Sequence, residues 1–293
     1  MSHQDTPDES GIAKPVVITA DSTCDLTPEL LERFQIKTIP LTIIMGEKRF
    51  LDGVDLTPDD IYKYYYENGS LPQTAAPSIP DLYDFFESFT KEGYEVVHLD
   101  ISSELSAIFN IASFAAGELD GVYVIDSRML STGLGLLAIE AAECRDRGMG
   151  AREIAEHLNA LKSKVSASFV LDTLEFIWKG GRCSGIALFG ANVMKIRPAL
   201  KLTGGKIEVF KKYRGKMENV YRQYIKDQFA ERKIRPAHVF LTEAGEIPPE
   251  VIERLLELVK EESGCIELHH TRAGCTISSH CGPKSLGVLF IEE

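Results

Sequence analysis

Three times in its amino-terminal half the chain passes from a short buried-type strand, through a polar turn, into a helix. "VVITADSTCDLTPELLERF" does so first, with Thr27 and Pro28 placed as an N-cap and first helical residue. "EVVHLD" then runs into "ISSELSAIFNIASFAAGEL", and "VYVIDSRMLS" into "TGLGLLAIEAAECRDRG". Strands that alternate with helices form parallel sheets, because only a crossover helix returns the chain to start the next strand in the same direction. Such sheets place their ligand-facing edge at the carboxyl ends of the strands. Between the first two units, "LTIIMGEKRFLDGVDLTPDDIYKYYYENG" predicts a hairpin around Gly46 and a helix entered at Thr57-Pro58.

From about Ser166 the pattern changes. "SFVLDTLEFIWKGGR" and "VMKIRPALKLTGGKIEVFKKYRG" predict strands separated by glycine turns. Helices follow near Met217–Glu231 and Pro248–Glu262 with the strand "AHVFLTE" between them, and "ELHHTRAGCTISSH" and "SLGVLFIEE" read as closing strands. The expectation is an α/β protein of two domains, residues 15–165 with a mostly parallel sheet flanked by helices and 166–293 with a mixed or antiparallel sheet, preceded by a disordered tail, 1–14. The 293 residues, 44% of them hydrophobic, suffice for such cores.

A formal charge of −12 disfavours nucleic acid and anionic membrane surfaces as partners. No apolar run approaches a bilayer span, and the amino terminus lacks the apolar centre of a signal peptide, so a cytoplasmic protein without stable membrane anchoring is expected. Six scattered cysteines fit reduced thiols.

Hydroxyl residues gather where strands end: Asp21, Ser22 and Thr23; Ser102, Ser103 and Ser106; Thr74 in "PQTAAPS". Each taken singly is accounted for by capping and turn chemistry. If a helix begins at "SSELS", Ser103 and the amides of Glu104 to Ser106 would form a cradle for a carboxylate or phosphate. His280, beside Cys281 in a polar turn, can be a metal ligand, a catalytic base, a ligand-binding group or a plain turn residue. Zinc on Cys265, His269, His270, Cys275, His280 and Cys281 is disfavoured, because neighbours on a strand point to opposite faces and no C-x-x-C closes a site. There is no G-x-S-x-G, G-x-G-x-x-G or P-loop motif. "WKGGRCSG" reads as a helix end capped by Gly180 or Gly181, or else as a stiff turn exposing Lys179 and Arg182 to a partner.

The segments "ITADSTCDL", "IPLTIIMGEKRFLDGVDLT", "PQTAAPS", "ISSELSAIFNIA", "VIDSRMLSTGLGLLAIEAAE", "LDTLEFIWKGGR", "MKIRPALKLTGGKI" and "HCGPKSLGVLF" resemble, in order and spacing, the signature segments of the DegV family. The resemblance implies a fatty acid held between two domains, its acyl chain in a tunnel and its carboxyl group on hydroxyls and a histidine. It further implies a bacterial lipid-binding subunit without catalysis or cofactor of its own. Such a subunit presents the acid to the ATP-binding subunit of a fatty acid kinase, which makes an acyl phosphate for phospholipid synthesis. Thr74, Ser103 and His280 fall on the family's carboxyl-binding positions, Ser102, Ser106 and Ala107 are counted as further ligand contacts, and Arg182 falls on the arginine implied to face the kinase subunit. The sequence departs from the family pattern at "TAAPS", at Ala107 and at Lys284, the last two standing where glycine is usual. The competing readings are a Ser/His acyl-ester hydrolase with Ser103 as nucleophile, and a carrier or sensor of another amphiphilic carboxylate.

Overall fold

The computed structural model describes residues 14–183, 196–230 and 232–293; the segment read as a tail lies almost wholly outside them. β1 (Val16–Asp21) leads to α1 (Pro28–Arg33) and β2 (Ile36–Ile39). Thr27 caps α1 by accepting from the Leu30 amide, with Pro28 at the first helical position. The hairpin around Gly46 is β3 (Thr42–Met45) and β4 (Lys48–Leu51), and α2 (Pro58–Asn68) begins at Thr57-Pro58 with a capping box closed by Asp60. Then come β5 (Gln73–Ala75), α3 (Ile79–Thr90), β6 (Glu95–Asp100), α4 (Ile108–Ala116), β7 (Val122–Asp126), α5 (Thr132–Asp146) and α6 (Ala151–Leu161). Strands β2-β1-β6-β7 form a four-stranded parallel sheet, and β4-β3-β5 a small antiparallel one.

The remaining elements are β8 (Val165–Val170), α7 (Glu175–Gly180), β9 (Arg197–Thr203), β10 (Lys206–Tyr213), α8 (Met217–Phe229), β11 (Ile234–Glu243), α9 (Pro249–Ser263), β12 (Glu267–Arg272), α10 (Cys275–Cys281) and β13 (Leu286–Glu292). Six strands form a mixed sheet in the order β10-β9-β8-β13-β11-β12. Its only parallel pair among the described residues, β11 with β12, is joined by α9. No helix among the described residues is long and apolar enough to cross a membrane.

α5 lies between the two larger sheets. Eleven of its fifteen residues are buried, on all sides of the helix. Its Leu134 and Leu137 share one core cluster with Ile18 and Val97 of the parallel sheet and with Ala167, Phe240 and Leu289 of the mixed sheet. Small residues make this approach possible. A Cβ at Gly135 would lie 2.8 Å from both the Cys24 carbonyl oxygen and Leu26. The glycines of "TGLG" are therefore contact glycines.

Two segments differ from their sequence reading. "SSELS" is a turn, and α4 starts only at Ile108. The Ser102 carbonyl accepts from the amides of Leu105 and Ser106 and its hydroxyl from that of Glu104, a local alternative that displaces the helix start. The expected cradle of free helix-start amides is thus absent. "ELHHTRAGCTISSH" is a strand only to Arg272; residues 275–281 form α10, so His280 sits in a helical last turn. The cause is remote. Asp52 accepts from the amides of Cys275 and Thr276 at 2.8 and 3.2 Å, and Asp25 from Gly274 at 2.8 Å, supplying caps from more than two hundred residues away.

Gly135→Ala should cost about 1–3 kcal/mol of stability in urea unfolding, the range for overpacking a core. A stability equal to wild type would show that α5 has more room than this packing allows.

Candidate functional site

The small sheet, α7, α10 and the turn after β6 converge on one cleft of about 520 Å³. Thr74 on β5, Ser103, Ser106 and Ala107 in the turn, Arg182 after α7, and His280 on α10 all line it. Leu130, Ile207, Ile277 and His280 also line a second cavity, which therefore adjoins the cleft across these side chains. The inner part is walled chiefly by apolar groups, including Phe169, Ile177, Leu286 and Leu289. A mouth that carries several polar side chains thus adjoins an apolar interior.

His280 stands at the junction. Its Nε2 lies 3.1 Å from the Thr74 hydroxyl. Its Nδ1 is enclosed, with no hydrogen-bond partner among the described residues. The ring reaches this place only because residue 180 is glycine: a Cβ there would sit 2.4 Å from Nδ1. Gly181, at φ +69°, caps α7 as the sequence reading allowed. Desolvation, and secondly the Arg182 guanidinium, lower the imidazole to a pKa of about 4, so it is neutral at neutral pH.

Ser103 is held by Asp126: its hydroxyl donates to Oδ2 at 2.6 Å and its amide to Oδ1 at 3.1 Å. The Ser103 proton is therefore committed to a carboxylate, and its oxygen remains available as an acceptor. A Ser103–His280 dyad is not assembled, since Ser103 bonds Asp126 and His280 bonds Thr74. Ser102 is fully buried and outside these walls; its hydroxyl donates to the Gly205 carbonyl. Arg182 is exposed at the rim and donates to the Gly180 carbonyl at 2.7 Å.

The residues weighed as zinc ligands do not converge on His280. Cys275 donates its thiol to the Leu56 carbonyl, and His269 lies against His238. All six cysteines are buried, and none is in a disulfide. Lys284 lines neither cavity, and adopts φ +57°, a conformation that suits the glycine expected there. Of the two departures at glycine positions, only Ala107 adds bulk to the mouth.

Two lining residues with uncharged polar side chains escaped the sequence reading. Asn110 sits one turn beyond Ala107 on α4. Thr276 sits one turn before His280, with a buried hydroxyl that has no partner among the described residues. The signal for Thr276 was the i, i+4 spacing in "TISSH", which has meaning only on a helix.

The family described as "Uncharacterised protein, DegV family" matches residues 15–293. A DegV domain-containing protein of Clostridium perfringens is 29% identical over 95% of this chain and 99% of its own; one from Clostridium acetobutylicum is 30% identical over the same shares. Among solved structures, a DegV family protein from Thermus thermophilus described for its fatty acid binding superposes with a TM-score of 0.85 at 26% identity, over 95% of this chain and all of that one. DegV from Bacillus subtilis, described as a fatty acid binding protein, gives 0.83 at 25% identity, over 96% of this chain and all of that one. With this match over nearly its whole length and a shared fold, the chain belongs to the DegV family.

Proposed function

We propose that this protein binds a long-chain fatty acid, with the acyl chain in the apolar interior and the carboxyl group at the mouth, and presents that carboxyl group to an ATP-dependent kinase subunit. The observation that carries this reading is an apolar-walled cavity that shares Leu130, Ile207, Ile277 and His280 with the mouth. In it, residues 15–165 and 166–293 act as two domains that enclose the ligand, consistent with larger sheets that share no strand. The solved relatives described as fatty acid binding support the ligand class.

The energetics agree. Each methylene removed from water contributes about 0.8 kcal/mol, so a chain of roughly 14 to 18 carbons carries on the order of 10 kcal/mol before entropy costs. A carboxyl group entering the same site must be hydrogen-bonded or protonated. Thr74, His280 and the orphan hydroxyl of Thr276 supply partners. The committed Ser103 proton favours a carboxyl group that itself donates to Ser103. A neutral imidazole can accept or donate and adds no buried charge of its own. Arg182 at the rim suits contact with a kinase subunit whose active site must reach the mouth. In this reading the chain performs no catalysis alone and works in the cytoplasm, where ATP is available.

The ligand is tested by mass spectrometry of an organic extract of the purified protein and by titration of the delipidated chain with a fluorescent fatty acid. His280→Ala and Thr74→Ala should each weaken binding about tenfold, one lost hydrogen bond of about 1.5 kcal/mol, with unchanged circular dichroism. Wild-type affinity in both would remove the carboxyl group from this mouth.

Because His280 is neutral in the fold but titrates near 6.5 when unfolded, the unfolded chain binds the extra proton between about pH 4 and 6.5. Stability should therefore rise with pH across that window, and His280→Gln should abolish that increment in urea unfolding. An equal pH dependence in both proteins would contradict it. Arg182→Ala should bind fatty acid normally yet be phosphorylated poorly by the kinase subunit; a normal phosphorylation rate would remove Arg182 from the docking surface.

A further inference from the structure

We propose that His238, His269 and Glu267 form a binding site for a divalent transition metal, zinc above all, on the outer edge of the mixed sheet and apart from the lipid cavity. β11 and the edge strand β12 run parallel with His238 opposite Glu267 and Phe240 opposite His269. Alternate residues of a strand share a face, so all three donors stand on the face that carries Phe240 into the core around α5.

The spacing of the donor atoms is that of a coordination sphere. His238 Nδ1 lies 3.0 Å from His269 Nε2 and 4.0 Å from Glu267 Oε2, and the last two lie 3.7 Å apart. The nearest point equidistant from the three atoms lies in their plane, about 2.1 Å from each, so small side-chain rotations that draw the donors together complete a tetrahedral sphere with the usual zinc–nitrogen and zinc–carboxylate lengths. Two imidazoles and one carboxylate, with water in the fourth position, form a familiar zinc donor set.

The surroundings orient these ligands. The second nitrogen of His238, Nε2, donates to Glu143 Oε1 at 3.0 Å, which leaves the lone pair of Nδ1 pointing toward His269. The two rings are stacked at 5.2 Å, with Phe34 edge-on to His238 and Phe240 against His269. Arg33 grips Glu267 through both oxygens, at 2.6 and 2.8 Å, and retains Oε1 when Oε2 turns to the metal. With Nδ1 of His238 an acceptor, Nε2–H of His269 donates to it. Metal binding replaces that proton, which His269 carries on Nδ1 instead, so both imidazoles bind neutral.

The other cluster of ligating residues, Glu140, Cys144 and His157, lacks this character. Guanidinium groups approach both clusters, Arg33 at Glu267 in one and Arg147 and Arg235 at 3.7 and 3.2 Å from Glu140 in the other, but the Glu140 cluster offers a single imidazole and its Cys144 sulfur already accepts from Arg147. A metal at the His238 site would pin β12 to β11 and, through Glu143, to α5.

The test uses the full chain, stripped with a chelator and titrated with Co²⁺ followed by visible absorption, then with Zn²⁺ against a chromophoric chelator. The expected result is one metal per chain, four-coordinate cobalt bands and a higher melting temperature with Zn²⁺. His238→Gln and His269→Gln should abolish tight binding, Glu143→Gln should weaken it about 10- to 100-fold, and His157→Gln should leave it unchanged. Should the histidine variants fail to fold, ring ¹⁵N spectra of wild type decide the matter, since Zn²⁺ must shift His238 Nδ1 and His269 Nε2. Absence of saturable binding, loss of binding in His157→Gln, or unmoved ring nitrogens overturns the proposal.

Discussion

The geometry of the cleft depends on the carboxylate of Asp52 seated on the first amides of α10. Those amides have no partners within the helix, and Asp52 supplies both while accepting the Ser22 hydroxyl at 3.0 Å. Beside it, Asp25 accepts from Gly274 and from Ser131, which ties α10 to the turn before α5. Burial pushes the Asp25 carboxyl well above its ordinary range. The result is a rigid start for α10, so that one and a half turns later His280 meets Thr74 on one side and Gly180 on the other. Three sheets converge there through polar contacts made by residues distant in the chain.

The same arrangement explains why a histidine suits the junction between a polar mouth and an apolar cavity. A permanently charged side chain would carry a large desolvation cost into the cavity wall. An imidazole held neutral by its surroundings avoids that cost, yet keeps one nitrogen on Thr74 and hydrogen-bonding capacity for a carboxyl group. Asp126 plays the complementary part at Ser103 by accepting the hydrogen bond that the serine hydroxyl donates. In the proposed reading the mouth discriminates by hydrogen bonding, while the interior supplies most of the affinity through buried apolar area.

The repeated strand-turn-helix units, the Gly46 hairpin, the entry of α2 and the glycine-turned β9–β10 pair were legible because each is coded by neighbours a few residues apart. α10 was not, because its caps come from Asp52 and Asp25, and Thr276 was lost with it. Ser102 misled for a different reason: serine at a strand end serves a turn as readily as a helix, and only the closed hydrogen bonds decide. Thr74, Ser103 and His280 were assigned through family resemblance; spacing alone left Thr74 as a cap or turn residue, Ser103 as a cap or part of an anion cradle, and His280 open among four roles. That they line one mouth is a property of the tertiary structure. The pairing of His238 with Glu267 and His269 depends on the register of β11 and β12, which no local pattern reveals.

The account rests on the carboxyl group of a fatty acid lying at His280 and the acyl chain running inward. A crystal structure of the protein with a bound long-chain fatty acid tests this most directly. The account predicts a carboxyl oxygen within hydrogen-bond distance of Thr74 Oγ1 and His280 Nε2, with the chain passing Ile277 toward Leu286 and Leu289. A fatty acid bound in the reverse direction, or outside this cavity, would contradict it.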